Sequence, residues 1–190
     1  ISHSIRRAVT GTPRRVDVGA VNDQIFVNVA SGGFGAMITA TTSQEIKKRL
    51  GGLAYTFSGL ARLSELSPND ASVTLDGGTT QETSILALAI GNSRYAGGGF
   101  DVAPDATVDD GLLDLSILSG DLPLPAAADL SGLLEASSTS GPIHRAQFRK
   151  ARIETDMPFH LNLDGEPMVD TRFDISIRPG ALNFVLPSPS

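Results

Sequence analysis

The sequence predicts a mainly β protein, an antiparallel β-sandwich with one or two packed helices. Three observations predict it. Short apolar-rich segments recur along the chain, bounded by glycine, proline, asparagine or aspartate. One stretch, 43–63, carries a sustained helical period. Asp164-Gly165 joins two alternating segments, and tight hairpin turns favour that dipeptide because glycine accepts a positive φ.

In chain order, residues 2–11 predict a short helix stopped by Gly11 and Pro13. Residues 15–21 and 24–30 read as two strands with Asn22-Asp23 as their turn, and 31–35 as a glycine-rich loop. The helix at 43–63 has Ser43 as a candidate N-cap and Ile46, Leu50, Leu53, Phe57 and Leu60 at a 4-3-4-3 spacing. Gly51, Gly52 and Gly59 lower its propensity, so tertiary packing must hold it. Lys47, Lys48 and Arg49 form a basic run that suits anionic lipid heads as well as a plain solvated face. Strands follow at 71–75, 83–90, 112–118, 147–155, 160–163, 172–177 and 181–186. A second, weaker helix falls at 122–136, ahead of a polar loop at 135–142.

Composition narrows the function classes. At 190 residues the chain can bury a sizeable core. It carries 21 acidic against 15 basic side chains, a net charge of -6, which argues against a nucleic-acid partner. Having no cysteine, it has no thiolate nucleophile and no zinc–thiolate site, and this is compatible with a cytoplasmic location. No apolar run approaches the roughly 20 residues that span a bilayer. The start at Ile1 is neither a methionine nor a signal peptide, so the chain reads as a piece of a longer protein.

Three constellations could carry chemistry. Asp164-Gly165-Glu166 mounts two carboxylates on a rigid bend, as a proton acceptor requires, although Asp-Gly is also simply a good turn. Gly91-Asn-Ser-Arg-Tyr-Ala-Gly-Gly-Gly-Phe100 follows an apolar strand, and its three consecutive glycines suit a site where bare backbone must approach a phosphate or another strand. It matches neither a dinucleotide fingerprint nor a phosphate-binding P-loop. Asp105-Ala-Thr-Val-Asp109-Asp-Gly-Leu-Leu-Asp114 clusters carboxylates beside a turn, which could bind a hard cation or merely precede a strand. His3, His144 and His160 show no metal-ligand spacing. A serine hydrolase on Ser93 lacks the second elbow glycine, since Tyr95 stands there.

Phe26-Val-Asn-Val-Ala-Ser-Gly-Gly-Phe-Gly35, Gly91-Asn-Ser-Arg-Tyr-Ala-Gly-Gly-Gly99, Asp109-Asp-Gly-Leu-Leu-Asp-Leu115 and Leu163-Asp-Gly-Glu-Pro167, in this order, closely resemble the bacterial YegS/diacylglycerol-kinase-like lipid kinases of the NAD kinase/diacylglycerol kinase-like superfamily. The resemblance runs over nearly the whole chain and corresponds to the family's C-terminal half. It implies a β-sandwich at 19–190, with 1–18 as the helix and strand connecting it to an N-terminal nucleotide-binding domain. That domain's G-G-D-G-T and G-T-x-N-D motifs do not occur here.

The resemblance also implies roles. Glu166 corresponds to the proton acceptor, and Asp164 would orient the site or help hold a catalytic magnesium. Mg²⁺ would be bound by the Asp110 side chain with the carbonyls of Thr107 and Leu112. Asn92 and Arg94 would contact substrate or phosphate. The implied reaction is phosphorylation of a diacylglycerol-like or related lipid hydroxyl by ATP, bound mainly by the missing domain, in a cytoplasmic protein peripherally associated with the membrane. Arg145, Arg149, Lys150 and Arg152 could meet anionic head groups, or could follow from strand alternation. The alternative is a non-catalytic module binding lipid or protein, in which the same motifs only build turns.

Overall fold

A computed structural model describes residues 11–33, 67–96, 100–120 and 143–185, and every regular element among them is a strand. The helices expected at 43–63 and 122–136, the loop at 135–142, and all but the last residue of the helix at 2–11 lie outside the described residues. The mainly β, antiparallel expectation holds. The strands are β1 (Pro13–Val21), β2 (Gln24–Phe26), β3 (Val29–Gly33), β4 (Asn69–Leu75), β5 (Gln81–Gly91), β6 (Tyr95–Ala96), β7 (Phe100–Asp101), β8 (Leu113–Ser119), β9 (Ile143–Phe148), β10 (Lys150–Leu163) and β11 (Glu166–Val185).

Nine of them form one sheet in the order β2-β1-β11-β10-β3-β5-β8-β9, while β6 and β7 make a separate hairpin. β4 shares the lane of β3: both lie between β10 and β5, β3 opposite 87–91 and β4 opposite 81–85. The sheet must curl, because Phe26 at one end of the strand order and Phe148 at the other belong to the same buried cluster. Ile85, Ile90, Leu113, Ile153, Leu161, Leu163 and Phe173 fill the space between, each almost wholly buried. Along β10 the alternation is clean: Ala151, Ile153 and Thr155 point inward, while Lys150, Arg152 and Glu154 point out.

Several expected elements have different bounds, and 31–33 of the expected glycine-rich loop belong to β3. The segment 24–30 is split into β2 and β3, because the amides at 27–29 bond to a carboxylate on the β10–β11 hairpin. The segment 147–155 is the end of β9 and the start of β10, separated at Arg149, whose amide bonds to Asp76 Oδ1 at 2.9 Å. The segments at 172–177 and 181–186 merge into the 20-residue β11, with 179–181 bulging out of register opposite Asp17. Pro179-Gly180 reads as a strand break, but here it is a bulge within one strand.

Gly19 pairs with Phe26 across β1 and β2, and the Phe26 ring lies where a side chain on Gly19 would be. Gly19→Ala is therefore expected to cost about 1–3 kcal/mol through overpacking, read as a lower urea midpoint at unchanged m-value.

Candidate active site

The hairpin joining β10 and β11 turns in two residues, with Leu163 paired to Glu166, as the Asp-Gly signal predicts. Asp164 has φ 52° and Gly165 φ 114°, and the Gly165 amide donates to Asn162 Oδ1 at 2.8 Å. Glu166 stands exposed at the first position of β11. Asp164 faces the linker between β2 and β3 and the start of β3. Its Oδ2 accepts from the Val27 amide at 2.6 Å and its Oδ1 from the Val29 amide at 2.9 Å, while the Asn28 amide lies 3.1 Å from both. Its own amide donates to the Val29 carbonyl at 3.2 Å.

The carbonyls of that linker hold the segment after β5. Asn28 O accepts from the amides of Asn92 and Ser93 at 3.0 and 3.1 Å, and the Ser93 hydroxyl bonds to Asn28 Oδ1. Asn92 is only 1% exposed. Its Nδ2 donates to Val27 O at 2.7 Å and to Asp17 O at 2.9 Å. Both amide hydrogens of Asn92 are thus spent on main-chain carbonyls, while its buried Oδ1 has no hydrogen-bond partner among the described residues. Arg94 is different. It is exposed, it bonds to Asp101 Oδ2 at 2.5 Å, and its guanidinium lies 5.2 Å from the Tyr95 ring centre. The hydrogen bond to Asp101 holds that guanidinium firmly protonated.

Asp17 closes the chain of contacts. It is 2% exposed, and its carboxylate accepts from the Gly111 amide at 2.7 Å and the Gly180 amide at 2.6 Å. Its own amide donates to Val108 O at 2.7 Å. The Asp109-Asp110-Gly111 loop is thus pinned to β1 and to the β11 bulge, beside a shallow concavity lined by Arg15, Asp110 and Pro179. Asp109 pairs with Arg14 at 2.6 Å. Asp110 Oδ1 accepts the Leu112 amide at 2.9 Å across Gly111, whose φ is 74°, and the Thr107 hydroxyl leans on Asp105 O at 3.4 Å. Burial raises the Asp114 carboxyl above the ordinary carboxylate range; a hydrogen bond from Gln147 opposes this, and the charges of Asp110 and Asp105 add to it.

No three acidic or histidine side chains among the described residues converge closely enough to hold a metal by themselves. The donors at Asp110, Thr107 and Leu112 are nevertheless all oxygen, the set a hard cation takes, provided that main-chain carbonyls complete it.

The sequence reading missed Asp17 and the linker at 27–29. An acid between valines in an apolar strand was the available signal for Asp17. The linker acts through backbone amides, which leave no mark in residue identity.

Two comparisons identify relatives. The chain is 43% identical over 180 residues to a "Probable lipid kinase YegS-like" of Pseudomonas putida, covering 94% of this chain and 58% of that protein. A protein of the same name from Pseudomonas aeruginosa is 42% identical over 184 residues, with 94% and 59% covered. The chain thus spans under three fifths of the length of these relatives. Two Bacillus anthracis crystal structures share the fold. One superposes with a TM-score of 0.78 at 22% identity, covering 97% of this chain and 62% of that one. The other, described as a diacylglycerol kinase, gives 0.68 at 24% identity over 91% and 56%. Residues 28–186 match the model of the YegS C-terminal NAD kinase beta sandwich-like domain, a span holding the hairpin, the Asn92 turn and the Asp110 loop, and the chain belongs to that family.

Proposed function

We propose that this chain is the lipid-substrate and catalytic-base domain of an ATP- and Mg²⁺-dependent lipid kinase, led in from a nucleotide-binding domain by the residues ahead of β1. Residues 13–18, expected to be part of the connection, pair with β11 and so belong to the catalytic sandwich. One observation carries the reading. Unbroken hydrogen bonds run from the Asp164-Gly165-Glu166 hairpin through 27–29 to Asn92, and from Asn92 through Asp17 to the Asp110 loop. Motifs up to 137 residues apart are thereby tied to one framework. Turns that merely reversed the chain would not need to be tied together.

In this mechanism Glu166 takes the proton of the lipid hydroxyl as its oxygen attacks the γ-phosphorus of ATP. The new O–P bond forms as the bond to the ADP oxygen breaks, and Glu166 later releases the proton to water. Phosphoryl transfer depends mainly on positioning and charge compensation, which a base on a short, tied hairpin serves. Arg94 offers a fixed positive charge toward phosphate. Asp110, with the carbonyls of Thr107 and Leu112, would hold Mg²⁺, which supplies further positive charge. The acceptor is a diacylglycerol-like, phosphatidylglycerol-like or sphingoid hydroxyl at a cytoplasmic membrane surface, and no nucleic acid is involved.

The test is transfer of radiolabelled phosphate from ATP to a panel of these lipids in vesicles. The enzyme is a protein carrying this chain together with the N-terminal region its relatives have. Label is expected in at least one lipid, and none from the 190 residues alone. A longer protein that binds vesicles yet labels no lipid would establish the non-catalytic module instead, and kinase activity from the 190 residues alone would sink the two-domain account.

A further inference from the structure

We propose that Asp164 is a positioning residue: its carboxylate acts through the backbone of 27–29, tying the hairpin that carries Glu166 to the segment that carries the Asn92–Ser93 turn. An ionised carboxylate offers about four acceptor positions. The amides of Val27, Asn28 and Val29 make four contacts with it, between 2.6 and 3.1 Å. Three successive amides turned onto one anion form a backbone nest, and bonds to a charged acceptor are stronger than neutral ones. A carboxylate so occupied is poorly suited to coordinate a metal or to take a proton from substrate.

The geometry also explains why these amides are available. Residues 27 and 28 fall between β2 and β3 and belong to neither strand, so the ladder does not use them. With its amides on Asp164, the segment presents the Val27 and Asn28 carbonyls to Asn92 Nδ2, Asn92 N and Ser93 N at 2.7, 3.0 and 3.1 Å. The hairpin tip is meanwhile fixed at two further points, the Asp164 amide on Val29 O and the pairing of Leu163 with Ala30. Asp164 therefore joins the base-bearing hairpin to the segment that carries Arg94.

The turn makes a clean test possible. Asp164 sits at φ 52°, where asparagine and glycine are equally at home, so Asp164→Asn and Asp164→Gly keep the bend and remove only the anion. Asparagine leaves one oxygen for three amides and turns its NH₂ toward donors. The activity arm rests on the kinase reading and uses the longer protein. Asp164→Asn is expected to lower kcat about 10- to 100-fold with KM for ATP within about twofold, as for a misplaced base. In a Glu166→Gln background the same change should cost less than about threefold more, because both act through one group. Hydrogen exchange supplies a second arm: amides 27–29 should exchange about tenfold faster or more in both Asp164 variants and at the parental rate in Glu166→Gln.

Recovery of Asp164→Asn by excess Mg²⁺ or Mn²⁺ would make Asp164 a metal ligand and overturn the proposal. Unchanged exchange at 27–29 would overturn it as well, and so would a full multiplicative loss on top of Glu166→Gln. If the parental protein phosphorylates no lipid, the kinase reading fails, and the exchange arm decides the Asp164 assignment by itself.

Discussion

Glu166→Gln is expected to lower kcat for lipid phosphorylation by about 10²–10⁴-fold in a protein carrying the nucleotide-binding region, the range a general base contributes. Glutamine keeps the shape and polarity of the side chain and loses only the capacity to accept a proton. The hairpin should not register the change. Leu163 pairs with residue 166 through the backbone, and Asp164 and Asn162 carry the side-chain contacts of the turn. Exposed as it is, Glu166 can be exchanged within about 0.5 kcal/mol of parental stability. KM for ATP should be unchanged, since the nucleotide is held elsewhere. Steady-state kinetics with matched unfolding curves checks all three points, and turnover within twofold of parental would remove Glu166 from the mechanism.

What was legible in the sequence follows a physical division. The hairpin at Asp164-Gly165 was legible because positive φ at two successive residues selects for residue type. The inward alternation of β10 was legible because burial on one face selects for apolar residues at every second position. Asn92 was singled out for a substrate contact, but its bonds to the carbonyls of Asp17 and Val27 were not legible, because an asparagine that satisfies carbonyls and one that awaits a ligand are the same letter. The split of 24–30 was invisible for a related reason. What ends β2 is a carboxylate more than 130 residues away bonding to main-chain amides, and any residue but proline supplies an amide. The same holds for Pro179-Gly180, which reads as a strand end but is a bulge held by Asp17. Local chemistry specified turns and faces; remote anions matched to bare backbone specified how the site is assembled.

Asp17→Asn is expected to have a large effect on stability, about 3–5 kcal/mol, from a hydrogen bond to a charged acceptor lost together with a buried donor left unpaired. Asp17 is the point where three segments meet. Its two oxygens take the Gly111 and Gly180 amides separately, its amide takes Val108 O, and its carbonyl takes Asn92 Nδ2. An asparagine has one oxygen for two amides, and whichever it serves, its NH₂ confronts the other donor in a space that is 2% exposed. For a chain of this size such a loss lowers Tm by about 6–20 °C. Asp109→Asn is the control. It removes a carboxylate from the same loop and breaks a 2.6 Å ion pair to Arg14, but both partners are substantially exposed, 49% and 31%, and pairs of that kind are worth about 0–1 kcal/mol. Thermal unfolding of the two variants side by side separates an anchor from a surface charge. Equal shifts would mean that the loop and the bulge hold their shape without Asp17. A large loss for Asp17→Asn alone would mean that one buried carboxylate sets the bend at Gly111 and the bulge at Gly180 together, so that the Asp110 loop cannot move without β11 moving as well.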